Sequence, residues 1–400
     1  MSLPLPLPPL GLGTFKSSPG EVTSAVLHAV RSGYRLIDCA AGYQNETEVG
    51  AALATLISSN AIKRDELYVS SKLWQTHHAY GGDESRCEAA LSATLSDLNL
   101  DYLDLLLIHW PFASEQLAVQ TEDGTPEPFR LADGSLNPVF TVRTEYLATY
   151  RWLLSAKARG VVKAVGVSNF TIEQMEHLRE EGLEAPAVNQ VEHHPYLQQR
   201  ALLSYCASRG IRVMAYSPLG SASGKKPAAH GCALLEHAVV LDVSKKLKKT
   251  AAQVLVKWAL GKGVVPLPKS VSEERIRTNA DVDGWELESA DVAALDGLEC
   301  GCRNFRSYAG EGWHGGERWV EKGDDRDLVQ ALVKGARVVC VGLEGVRDKY
   351  NGLVGTLLSA PGVSGGGGES RCLVELHDVP DKVLNVKTEN LRAVAAVSDV

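Results

Sequence analysis

The sequence predicts an α/β fold, a (β/α)8 barrel followed by a small all-β module, and three observations carry the barrel. Short apolar runs with strand character recur at residues 10–15, 35–39, 67–73, 102–109, 163–169, 187–192, 212–217 and 264–269. Amphipathic stretches suited to helices lie between them, at 21–32, 46–58, 84–98, 145–159, 172–181, 200–209 and 250–260. Strands alternating with helices imply parallel pairing through helical crossovers, and eight such units close into a barrel. Finally, polar residues gather at the C-terminal ends of the strand-like runs: Asp38, Lys72, His109, Ser168 with Asn169, Asn189 with Gln190, Tyr216 with Ser217, and Lys269 with Ser270. A layered apolar core leaves the barrel mouth as the place where such groups converge without a burial cost.

Composition bounds the rest. The chain has 400 residues, 44% of them hydrophobic, and a formal net charge of −8. That charge argues against a protein held to nucleic acid by its overall field. Eight cysteines are scattered without a CxxC pair, which suits a reducing compartment better than a disulfide framework. The opening MSLPLPLPPL is interrupted by proline and lacks a basic start, so it does not read as a signal peptide. No run approaches the roughly 20 apolar residues of a spanning helix. A cytoplasmic, monomeric protein without a membrane or nucleic-acid partner is expected.

The stretch YRLIDCAAGYQNETEVG holds the first chemical clue. Leu36-Ile37 ends in Asp38, too far before the helix start at Glu46 to cap it, and Tyr43 follows in a small-residue loop. Lys72 lies in VSSKLW and His109 in LLLIHWP. Taken singly, Lys72 reads as a surface lysine, His109 as a core histidine and Tyr43 as loop packing. Together, at one barrel mouth, they read as proton-transfer chemistry. Tyrosine titrates near pH 10 and is a poor acid at neutrality. A nearby ammonium stabilises phenolate and lowers that pKa, and Asp38 supplies the counter-charge that Lys72 needs when desolvated.

With these motifs in order, the chain resembles the aldo-keto reductases, and among them the aldose and aldehyde reductases. GLGTFKSSPGEV, GYRLIDCAAGYQNETEVG, VSSKLWQTHH, LDYLDLLLIHWP, VKAVGVSNF, AVNQVEHHPYLQ, VMAYSPLGS and VVPLPKSVSEERIRTNADV follow the family over about three-quarters of the chain. The resemblance implies a TIM barrel and a catalytic tetrad of Asp38, Tyr43, Lys72 and His109, with Tyr43 the acid, Lys72 held by Asp38 tuning it, and His109 orienting the substrate. It implies NADPH as cofactor. Ser168, Asn169 and Gln190 would hold the carboxamide, and Tyr216 would stack on the nicotinamide. Thr14 and Phe15 join the cofactor set, as does Asp38. Ser217, Leu219 and Ser221 would line the pyrophosphate passage. Lys269, Ser270, Ser272 and Arg275 would take the 2′-phosphate, with Asn279 on the adenine. A lysine, an arginine and two hydroxyls opening a helical segment are also sensible phosphate chemistry on their own. Gly11-Leu12-Gly13 is not a dinucleotide fingerprint, lacking the third glycine and the helix start.

Phe15, Trp74, His109 and Trp110 are the expected substrate-pocket residues. Phe15 stands where many relatives carry tryptophan, and Gly42 where larger residues occur; both changes predict a wider pocket. The loop 111–140 is expected to overhang the mouth, and a specificity loop to begin at Arg303-Asn304-Phe305-Arg306. The expected organisation is a barrel over 1–320, a linker over 321–335, and a small barrel over 336–397 that is similar to SH3-like modules through NGLVGT at 351–356 and LNVKTENL at 384–391. Such a module implies binding or packing, so a protein partner is an expectation there. The leading reading is NADPH-dependent reduction of aldehydes, aldoses and some ketones to alcohols. The alternatives are a cofactor-binding regulatory subunit and a scaffold acting through its C-terminal module; a sensor would need the cofactor pocket but not the whole tetrad.

Overall fold

The structure is a computed structural model that describes residues 7–17, 20–79, 82–111, 113, 145–220 and 230–304, together with six strand segments between 337 and 394. The chain divides into two compact units, Met1–Asn304 and Phe305–Val400.

The first unit is built on one sheet of eight parallel strands in sequential order: β1 (Gly11–Gly13), β2 (Leu36–Asp38), β3 (Tyr68–Leu73), β4 (Leu103–Ile108), β5 (Val162–Ser168), β6 (Val188–Glu192), β7 (Arg212–Tyr216) and β8 (Val265–Pro266). Just beyond β8, a parallel bridge between Gly13 and Lys269 joins the last strand to the first, with Gly13 N donating to Pro268 O at 3.2 Å. This is the architecture of a (β/α)8 barrel. The crossover helices are α1 (Glu21–Arg31), α2 (Glu46–Ser58), α3 (Ser85–Leu98), α4 (Glu145–Ala158), α5 (Ile172–Glu180), α6 (Arg200–Ser208) and α8 (Ala251–Gly261), which α7 (Ala238–Leu247) precedes, followed by α9 (Glu273–Ala280) and α10 (Ser289–Asp296). Thr171 with Gln174 and Thr250 with Gln253 form capping boxes that start α5 and α8.

What positions the site is the alternation of side chains along the strands. Leu36, Tyr68, Leu105, Leu107, Ala164, Val188, Met214, Val265 and Leu267 pack together inside the barrel, and Leu7 joins them. Stepping two residues toward the C-terminal end on the same face leads from Leu36 to Asp38 and from Tyr68 through Ser70 to Lys72. The same step leads from Leu107 to His109, from Val188 through Gln190 to Glu192, from Met214 to Tyr216 and from Leu267 to Lys269. The apolar layers below thus fix which polar residues line the mouth. Gly11 leaves β1 without a side chain here, and a Cβ on it would lie 2.6 Å from Leu267 Cδ2.

In the second unit the described strands are β9 (Arg337–Cys340), β10 (Val354–Leu357), β11 (Gly362–Val363), β12 (Ser370–Leu376), β13 (Val383–Lys387) and β14 (Leu391–Val394). They form one antiparallel sheet in the order β11-β12-β10-β9-β14, with β13 also paired to β12. The expected linker 321–335 lies outside the described residues, as does most of the loop 111–140.

Candidate active site

Lys72 is the centre of the mouth. Its residue is 1% exposed, and its Nζ donates to Asp38 Oδ2 at 2.7 Å, to Cys39 O at 2.8 Å and to Tyr43 Oη at 3.0 Å. An ammonium has three donors, and all three have acceptors. Burial alone would lower its pKa, but the Asp38 carboxylate and the Tyr43 oxygen beside it reverse the direction and hold Lys72 charged. Asp38 is held in turn: its Oδ1 accepts from Ser70 Oγ at 2.9 Å and from Gln190 Nε2 at 2.8 Å.

Tyr43 closes a single 3-10 turn, Ala41–Tyr43, between β2 and α2. Its phenol is pushed up to about 12, chiefly by burial; Lys72 pulls it down and Asp38 pushes it up. Lys72 lowers the phenol's pKa, as expected from the sequence, but burial outweighs it and the net shift is upward. Desolvation of a phenolate outweighs the ammonium, so Tyr43 is a fully protonated acid at neutral pH. His109 is pushed well below its ordinary range, by burial first and then by Lys72, and stays a neutral imidazole. Its ring meets Tyr43 edge-on at 5.7 Å and Trp74 edge-on at 5.0 Å. Phe15 lies 5.0 Å from Tyr43, centroid to centroid, and His109 stacks on Trp110 at 6.5 Å.

Gly42 does not widen the pocket. A Cβ there would fall 2.4 Å from Trp74 Cε3, so the indole occupies the space a larger side chain would take. The glycine's missing volume is filled by Trp74, which is buried.

Around this group the strand ends bring the other expected residues together. Ser168 Oγ donates to Gln190 O at 2.8 Å, and Asn169 Nδ2 donates to His109 O at 3.0 Å. Tyr216 Oη donates to Asn169 Oδ1 at 2.8 Å. Because Gln190 gives its Nε2 to Asp38, it can offer a ligand its carbonyl oxygen. Thr14 Oγ1 donates to Asp38 O at 2.8 Å, which ties the end of β1 to that of β2. Ser217 takes a left-handed backbone at φ 50°, turning the chain away from β7, and Leu219 is half-buried just after it.

Beyond β8, Ser272 caps α9, and Ser270 Oγ accepts from Ser272 N at 3.1 Å. Lys269 is held below its ordinary pKa by partial burial; Glu21 opposes this and Arg275 adds to it. Two cations and two hydroxyls therefore meet a helix N-terminus, a donor set that fits a phosphate dianion. Asn279 is buried on the same helix. Ser221, with the Lys225 and Lys226 that follow it, lies outside the described residues.

The sequence reading missed three participants. Ser70 and Glu192 share the inward face with residues it did name, and period-two counting from Val188 through Gln190 finds Glu192. Glu46 is the third: 4% exposed at the start of α2, it accepts from Thr94 Oγ1 at 2.9 Å and from Ser71 Oγ. No local pattern marks that carboxyl as buried.

The family model described as "Aldo/keto reductase family" matches residues 9–299. The chain belongs to the aldo/keto reductase family. It is 42% identical to the mouse (Mus musculus) aldo-keto reductase family 1 member A1 over 304 residues, covering 75% of this chain and 87% of that protein. It is also 42% identical to an aldo/keto reductase of Synechocystis sp. over 314 residues, covering 77% and 89%. Among solved structures it resembles the aldose reductase of Schistosoma japonicum, with TM-score 0.67 and 32% identity, covering 79% of this chain and 96% of that one. A Bombyx mori aldo-keto reductase in complex with NADP matches with TM-score 0.63 and 30% identity, covering 77% and 96%.

Proposed function

We infer that this aldo/keto reductase reduces aldehydes, aldoses and some ketones to alcohols with NADPH, using Tyr43 as the general acid. The observation that carries the reading is the hydrogen-bonded row Asp38–Lys72–Tyr43 at the barrel mouth. When bound, NADPH supplies the hydride that reaches the carbonyl carbon. Ser168, Asn169 and Gln190 would hold its carboxamide, Tyr216 would lie against the ring, and Lys269, Ser270, Ser272 and Arg275 would take the 2′-phosphate.

The chain's own work is the proton. As negative charge develops on the carbonyl oxygen, Tyr43 Oη gives up its proton to it, and the alcohol forms. The phenolate left behind lies 3.0 Å from the Lys72 ammonium, whose charge Asp38 secures. A protonated phenol in the ground state and a cation waiting for the phenolate place the stabilisation where charge appears during reaction. His109, a neutral imidazole edge-on to Tyr43, would orient the carbonyl oxygen by hydrogen bonding. Phe15, Trp74 and Trp110 would form the apolar walls.

An intact tetrad favours an enzyme over a sensor, which needs cofactor contacts alone. For the second unit we propose a binding or packing role of SH3-like type, through which a protein partner would act. The test of the reading is consumption of NADPH by the purified chain against a panel of aldehydes, aldoses and ketones. Turnover of at least the simple aldehydes is expected. Tight NADPH binding without turnover of any carbonyl compound would contradict it.

A further inference from the structure

Glu192 ends β6 on the inward face, two residues above Gln190, and its side chain is 0% exposed. A buried carboxylate needs donors. Its Oε1 accepts from His194 Nε2 at 2.9 Å, from Asn304 N at 2.8 Å and from Asn304 Nδ2 at 2.9 Å. Asn304 Nδ2 also donates to Gly220 O at 3.0 Å. Its amide group, then, bridges the end of β6 and the loop after β7.

The loop's geometry gives that bridge leverage. Gly220 has φ +80°, and a Cβ on it would lie 2.7 Å from Leu234 Cβ, so both its backbone conformation and its surroundings require glycine. Its carbonyl is aimed by a turn that starts at Ser217 and closes with Gly220 N donating to Ser217 O at 2.9 Å. One residue before that turn is Tyr216, whose hydroxyl holds Asn169. We propose that Asn304 is a positioning residue for the cofactor: by clamping the Gly220 carbonyl to Glu192, it fixes the loop 217–220 in the form that retains NADPH. This rests on the assignment of that loop to the pyrophosphate. Asn304 touches no reacting atom; it acts through Gly220.

The experiment measures the NADPH dissociation constant, kcat at saturating cofactor and the melting temperature for the full chain and its N304A, N304D and E192Q/N304D variants. Removal of the side-chain hydrogen bonds to Glu192 and Gly220 is expected to weaken NADPH binding about tenfold in N304A while kcat stays within about twofold. N304D is expected to bind more weakly still, because its carboxylate faces that of Glu192 and the Gly220 carbonyl. E192Q/N304D is expected to recover only the part of that loss due to repulsion between the two carboxylates and to bind NADPH about as weakly as N304A, since a carboxylate at 304 accepts from an amide at 192 but cannot donate to the Gly220 carbonyl. A residue that served folding alone would lower the melting temperature and leave the dissociation constant unchanged. An unchanged dissociation constant in N304A and N304D, or wild-type NADPH binding in E192Q/N304D, would overturn the proposal. Wild-type chain that fails to bind NADPH would overturn the cofactor reading and this inference with it.

Discussion

Lys72 sits where removing one group harms two things at once. Lys72→Met deletes the ammonium that faces the Tyr43 phenol and leaves the Asp38 carboxylate, 2% exposed, without its counter-charge. An uncompensated buried charge costs about 3–5 kcal/mol, so the melting temperature is expected to fall sharply. Adding Asp38→Asn removes that charge while Ser70 and Gln190 still donate to the retained carbonyl oxygen. The D38N/K72M chain is therefore expected to regain much of the stability in a thermal melt. Its kcat should stay down by about 10²-fold or more, because the phenolate still lacks its cation. Recovery of both stability and rate would mean that Lys72 is structural. At this scale the sequence was informative about identity and misleading about energetics. Asp38, Tyr43, Lys72 and His109 were all legible at strand ends. The phenol's direction of shift was not, because it depends on how deeply the 3-10 turn buries Tyr43.

Among the elements, α9 is where the proposed preference for NADPH over NADH would be set. Lys269, Arg275 and the capped N-terminus of α9 would form the proposed dianion site, with Lys269 brought to the rim by its bridge to Gly13 just beyond β8. Lys269→Met is expected to raise the KM for NADPH by more than about tenfold and to leave that for NADH within about twofold, since NADH has no 2′-phosphate for the lysine to meet. Equal effects on both KM values would remove the 2′-phosphate role. Seven of the eight strands pair a short apolar run with a polar end, which makes them readable; β1, Gly11–Gly13, lacks such an end and is legible only as the first of the alternating units. Helices α7 and α10 were not read. Ala238–Leu247 opens with the run AVVL, which gives no helical period, and its N-cap is His237 rather than a usual capping residue. Ser289–Asp296 is only eight residues long and too short for periodicity to show.

For the whole molecule, Glu46 links stability to pH. Burial is the first cause that raises its pKa from 4.5 to about 7; hydrogen bonds from Ser71 and Thr94 and the charge of Lys72 oppose it, and Asp97 adds to it. Between those values the folded chain binds more protons at this site than the unfolded one, so stability falls as pH rises through the window. Below about pH 4.5 both states are protonated and the contribution is intact; above about pH 7 the loss is complete, at roughly 3 kcal/mol for a shift of this size. Glu46→Gln is expected to flatten this part of the stability profile, so that its advantage over wild type grows between pH 5 and pH 8. A constant difference across that range would show that Glu46 ionises normally. Nothing in GYQNETEV separates the buried Glu46 from the exposed Thr47 or the half-buried Glu48. Its burial is set by the packing of α2 and α3 against β3, a tertiary fact.

The account stands on Tyr43 as the proton donor, and one comparison addresses it directly: single-turnover hydride transfer from bound NADPH to an aldehyde, wild type beside Tyr43→Phe. The substitution removes one oxygen and leaves the ring against Phe15 and His109. The expected result is a rate lowered by about 10²–10⁴-fold or more, with the NADPH dissociation constant unchanged within about twofold. A Tyr43→Phe chain that transfers hydride at the wild-type rate would contradict the account.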